Sequence, residues 1–104
     1  MAQTDRERRG EVLEKPRKKT DKPPFYQVVL HNDDYTTMEF VVTVLEGIFG
    51  KSPAEAHQIM MHVHTRGAGI AGIYPHEVAE TKVNQVHARA RESGFPLRAS
   101  LQKE

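Results

Sequence analysis

Across residues 26–49 the spacing of apolar side chains changes once, and it changes over three polar residues. Tyr26, Val28 and Leu30 alternate with Gln27, Val29 and His31. That is the period of two that a strand needs, in residue types that favour strands. Beyond Asn32-Asp33-Asp34, the residues Met38, Val41, Val42, Leu45, Ile48 and Phe49 recur at helical spacing, with Phe40 and Val44 widening the stripe. A strand must therefore pass into a helix within a few residues, and an arc this broad must touch more than one neighbour. Thr36-Thr37-Met38-Glu39 supplies a start signal, with Thr36 as N-cap and Glu39 reaching back as its capping-box partner. Gly50 is the expected end.

The remaining chain is punctuated in the same way. Ser52-Pro53-Ala54-Glu55 opens a second helix with proline at its first position. Ala56, Ile59, Met60 and Val63 form its core face, and Gly67 closes it. Residues 68–74, "AGIAGIY", predict a strand bent by close packing at its glycines. Residues 75–93 carry Ala79, Val83, Val86 and Ala90 on one helical face, with Gly94 beyond. Residues 97–102 alternate as a half-buried strand. The order β-α-α-β-α-β implies a small two-layer α+β domain, a three-stranded sheet with three helices on one face.

Charge divides the chain. Residues 1–24 hold eight Lys/Arg against five Asp/Glu, a net of +3, whereas residues 25–104 hold seven against nine, a net of −2. With few apolar residues and three prolines, the first segment cannot bury enough surface to offset its ordering entropy. It reads as a disordered basic extension over 1–24, ahead of a core domain over 25–104. Such arms can serve nucleic-acid binding, though most are solvated linkers. No stretch approaches the ~18 apolar residues of a membrane span, and the N-terminus lacks the apolar middle of a secretory signal. Without cysteine there is neither a disulfide framework nor a thiolate metal site. The expectation is a cytoplasmic monomer that does not bind membranes.

Six histidines raise the question of metal, but none pair at the i, i+4 spacing of a helical zinc site. His57 and His64 are seven apart, with Met61 between them. No metal, cofactor or catalytic residue is expected. Ser52, Ser93 and Ser100 sit in no nucleophile-elbow pattern, and nothing supplies an oxyanion hole or phosphate loop. Asn32, Asp33 and Asp34 are equally readable as an Asx-turn that favours the positive end of the next helix, or as acceptors awaiting a cation. Met60 and Met61 are more often core filler than ligand site.

Four segments carry a resemblance. "VVLHNDDYTTMEFVVTVL", "MMHVH", "GIYPHEVAETKV" and "FPLRASL" closely resemble the ClpS family, adaptors that select N-degron substrates for the AAA+ protease ClpAP. The similarity runs from about Pro23 to the C-terminus in the same element order. It implies a non-enzymatic adaptor that binds an N-terminal Leu, Phe, Tyr or Trp and delivers its bearer to a ClpA-type unfoldase. By that resemblance Asn32, Asp34 and His64 hold the substrate's α-amino group, with Asp33 adding negative potential. Thr36, Met38, Val41, Met60, Val63 and Leu97 line the side-chain pocket, Met38 acting as a gate against β-branched residues. Tyr35, Glu77 and Lys82 dock the N-terminal domain of ClpA, and the arm engages the unfoldase during handover. Thr37 stands where the family usually has proline, Pro75 where it has a capping threonine, and His31 where it has an aliphatic residue beside the pocket. The competing reading is a small α/β interaction module that binds nucleic acid or the ribosome through its basic arm.

Overall fold

The computed structural model describes residues 23–104. Most of the expected basic extension over 1–24 lies outside the described residues. Three strands and three helices follow one another as β1 (Phe25–His31), α1 (Met38–Gly47), α2 (Pro53–Arg66), β2 (Ala68–Pro75), α3 (His76–Ser93) and β3 (Arg98–Lys103). The sheet order is β2-β1-β3, and both pairings are antiparallel. This is the α+β arrangement that the periodicities imply.

The two faces of β1 set the layers. Val28 and Leu30 are fully buried and join Val41, Val44 and Leu45 of α1, Ala56, Met60 and Val63 of α2, and Ala79, Val86 and Ala90 of α3 in one cluster. Gln27, Val29 and His31 point to the other side of the sheet, as strand alternation requires. There His31 Nε2 lies 2.7 Å from Ser100 Oγ of β3. His31, expected beside the pocket, is therefore turned away from the core by its position in the pleat. The register of β1 and β2 shifts between Val28 and Val29, where Gly72 and Ile70 stand opposite and Ala71 is the extra residue. The expected bend is this bulge. Close packing is visible at Gly69, where an added Cβ would sit 2.8 Å from Val63 Cγ2 of α2.

Helix ends show what local chemistry decides. Ser52 Oγ accepts the Glu55 amide, Glu55 reaches back to the Ser52 amide, and Pro53 follows the cap. Gly67 closes α2 at φ +93, a left-handed conformation that glycine adopts without strain. The start of α1 differs from expectation. Its N-cap is Thr37, whose hydroxyl accepts the Phe40 amide at 3.1 Å, while the Thr36 hydroxyl is engaged by Asp33. The end of α1 differs as well. The helix stops at Gly47 with Ile48 as C-cap, and Gly50 lies in the loop beyond with φ +66. Past Gly50 the Lys51 amide returns to Leu45 O at 3.1 Å, and Lys82 of α3 donates its Nζ to Ile48 O at 2.6 Å, satisfying a carbonyl left free at the helix end.

The corrected cap gives a direct test. Thr37→Ala should cost about 1 kcal/mol of stability, the usual loss for an N-cap hydroxyl. Urea unfolding should show it as a lower midpoint at unchanged slope.

Candidate functional site

The turn after β1 is built from both sides. The Asn32 amide donates to Gly67 O at 2.9 Å, which moors the turn to the C-terminal end of α2. His31 pairs with Ala68 immediately beside it. His64 lies one turn before Gly67, exposed on the same end of α2. Strand pairing and one backbone bond thus bring the turn to the helix end that carries His64.

The two aspartates do different things. Asp33 Oδ1 accepts the amides of Tyr35 (2.8 Å) and Thr36 (2.7 Å), and Oδ2 accepts the Thr36 hydroxyl at 2.7 Å. Burial pushes the Asp33 carboxyl up, but the Thr36 hydroxyl and the Thr36 and Tyr35 amides together outweigh it and hold the group below its ordinary range. Asp33 is the Asx-turn acceptor. Asp34 points outward and is exposed, and no described residue hydrogen-bonds its carboxylate. Like-charge repulsion between neighbours is relieved because one charge is solvated by the turn itself. The other faces outward.

Of the six residues assigned to a side-chain pocket, Val41, Met60, Val63 and Leu97 are buried members of the core cluster. Thr36 is half-buried, and Met38, at the first position of α1, is 43% exposed. α1, α2 and the segment before β3 therefore contribute side chains to one apolar cluster. Three hollows among the described residues are lined by other residues. One of about 250 Å³ is lined by Gly47, Ile48, Gln85, Ala88, Arg89 and Glu92. Another of about 420 Å³ lies on the sheet face away from the core, lined by Val29, His62 and Ile70 among others.

Tyr35 is 78% exposed on the turn, which suits a surface contact. Glu77, exposed in the first turn of α3, and Lys82 line a groove of about 370 Å³ with Val78, Thr81 and Gln85. Tyr35 is not part of that groove. Lys82 is already engaged, by Ile48 O and by the Tyr74 ring 5.6 Å below its ammonium. Burial pushes the Tyr74 hydroxyl up, so the ring beneath the cation is neutral. Sequence reasoning missed this engagement, and no local signal announces a contact spanning 34 residues. Among the described residues no group of three His, Cys, Asp or Glu is placed to hold a metal ion. None of the described helices is long and apolar enough to cross a membrane.

Comparison with known proteins agrees with the geometry. The family model described as "ATP-dependent Clp protease adaptor protein ClpS" matches residues 21–100. A ClpS adapter from Desulfatibacillum aliphaticivorans is 56% identical over 95 residues, 91% of this chain and 91% of that protein. One from Desulforapulum autotrophicum is 60% identical over 90 residues, 86% of each. Among solved structures, Agrobacterium tumefaciens ClpS2 bound to L-phenylalaninamide superposes with a TM-score of 0.77 at 36% identity. That match covers 80% of this chain and 100% of the other.

Asp33 makes a pH prediction with a definite sign. Its folded carboxyl titrates below the unfolded one, so its stabilisation is present above the ordinary Asp range near ~3.9 and is lost as pH falls through the lower folded value. Asp33→Asn should be less stable than wild type at neutral and mildly acidic pH. Urea midpoints of the two proteins should converge only in stronger acid.

Proposed function

The chain belongs to the ClpS family of adaptor proteins for the ATP-dependent Clp protease, and from that footing we propose that it recognises a substrate's first residue. It binds an N-terminal Leu, Phe, Tyr or Trp in an N-degron and delivers the bearer to the N-terminal domain of a ClpA-type unfoldase in the cytoplasm. The observation that carries this reading is the ligand of the ClpS2 structure, L-phenylalaninamide. That compound joins a free α-amine to a benzyl side chain and ends at an amide, as a peptide's first residue does.

The chain holds the matching groups. An ammonium has three donors, and Asn32 and Asp34 offer acceptor oxygens while a neutral His64 accepts through one ring nitrogen. The outward Asp34 is preorganised for a cation because Asp33 and the Asn32–Gly67 bond fix the turn that bears it. The side chain enters against Val41, Met60, Val63 and Leu97, with Met38 and Thr36 at its mouth. A thioether adapts to several shapes and makes favourable contacts with aromatic rings, whereas Val41 and Val63 are stiffer walls.

Magnitudes show why both halves are needed. Each hydrogen bond to a charged group contributes roughly 1.5–3 kcal/mol, and burying a Leu or Phe side chain roughly 1.5–3 kcal/mol more. Two or three bonds plus the pocket give roughly 5–10 kcal/mol before ordering costs, hence high nanomolar to micromolar affinity. An internal Phe lacks the cation, and an N-terminal Ser lacks the apolar group. Tyr35 and Glu77 are exposed for the unfoldase, and Lys82 reaches it by giving up Ile48 O.

Fluorescence anisotropy with peptides that vary only in the first residue tests this reading. An N-terminal Phe peptide binds, and its acetylated copy does not. Asp34→Ala weakens every ligand by about 10- to 100-fold, and Met38→Ala chiefly admits Val and Ile. Affinity falls at alkaline pH, because the ligand amine loses its proton above its ordinary ~7.7–8.0. Equal binding of the acetylated peptide sinks the proposal.

A further inference from the structure

β3 is an edge strand, paired with β1 on one side. Its Ala99 stands opposite Leu30, and the Ala99 amide donates to the imidazole Nε2 of His87 in α3 at 3.0 Å. A backbone donor fixes the state of its acceptor: Nε2 carries no proton, so the ring is neutral with its hydrogen on Nδ1. Leu97, two residues upstream, is buried in the core cluster. The short segment that carries it is tied to α3 on both sides. Ahead of it, the Phe95 amide donates to Ala90 O at 2.9 Å, and the Phe95 ring packs on Phe40 of α1 at 4.8 Å. Pro96 has no amide hydrogen to add. Behind it, the tie to α3 is His87.

We propose that His87 is a positioning residue for the side-chain pocket: by holding Ala99 it sets where Leu97 stands, and so which first residues fit. This rests on Leu97 forming a wall of that pocket, as in the proposed function. A protonated ring has two donors and no acceptor, so acid removes the tie. The strands packed against α3 hold no carboxylate to re-engage a charged ring, and α1, which meets α3 at Gly47 and Arg89, carries Glu39 and Glu46, both exposed. The charged or titratable groups of those strands are Tyr26 and His31 on β1, Tyr74 on β2, and Arg98 and Lys103 on β3. Within one turn of His87 along α3 stand Arg89 and Arg91 and no acid.

The test compares peptides that begin with Leu, Phe and Trp on wild type, His87→Gln and His87→Ala, between about pH 7.5 and about pH 5.5, the span over which imidazoles change charge. Affinity ratios are read, because an identical α-amine cancels from them along with Asp34 and His64. In wild type the Trp-to-Leu ratio should shift by about three- to tenfold on acidification, the effect of losing one hydrogen bond. His87→Ala should show the shifted ratio already at neutral pH. Gln offers an amide oxygen that does not titrate, so His87→Gln should keep the neutral ratio throughout. If His87→Ala does not fold, the other two proteins still decide. In amide NMR of the free protein, the Ala99 resonance should also move with the His87 ring. Equal ratios in all proteins, or an acid shift that survives in His87→Gln, overturn the role of His87 and leave N-terminal recognition standing. Failure of wild type to bind any of the three peptides at neutral pH overturns the proposed function itself, and this inference with it.

Discussion

The Asn32 amide and the Gly67 carbonyl, 2.9 Å apart, join two places that are 35 positions distant in the chain. Asp34 and His64 belong to different elements, and the bond at Gly67 is what gives them a common frame. Its geometry depends on Gly67 closing α2 in the left-handed region, which turns the chain from helix into β2 beside the end of β1. Gly69 then lets β2 run against Val63 closely enough that a methyl group would collide. The helix end, the strand start and the acidic turn are therefore one construction. Disturbing any of them moves the candidate amine site.

How far this was legible depends on the range of the interactions involved. α2 was readable because its signals are local: Ser52, Pro53 and Glu55 act within one turn, and Gly67 acts on its own backbone. The start of α1 was misread by one residue because Thr36 and Thr37 are both competent caps. Asp33 decides between them by taking the Thr36 hydroxyl. The end of α1 falls short of Gly50 because Ile48 and Phe49 leave the helix as a turn before the left-handed glycine, and no residue type marks that turn. The identities of the site residues could be carried over from a family pattern. Which of their atoms are already engaged could not, because Lys82–Ile48 and Ala99–His87 are tertiary contacts.

Two pairs of like residues illustrate the same rule. Asp33 and Asp34 are chemically identical neighbours, yet three donors satisfy the first and none of the described residues satisfies the second. The histidines divide in a similar way. His87 accepts a backbone amide and His31 is held by Ser100, whereas His64 is exposed. Residue type states what a group can do; its contacts decide whether it is available. For an adaptor, availability decides what can bind.

The residues proposed to line the pocket impose a last constraint. Val41, Met60, Val63 and Leu97 also belong to the core, so any of them shortened to widen the site would lose transfer free energy and leave a cavity. Such changes in buried aliphatic residues cost about 1–5 kcal/mol, against a total stability of about 5–15 kcal/mol for a domain. Selectivity cannot be adjusted freely at those walls. Met38 is different, since at 43% exposure it is not a member of the core cluster. On the proposed reading, Met38 at the helix start is thus the lining residue that can change with least cost to the fold. The proposed pocket divides between rigid walls that belong to the fold and one adaptable residue, as a site built out of the core of so small a domain requires.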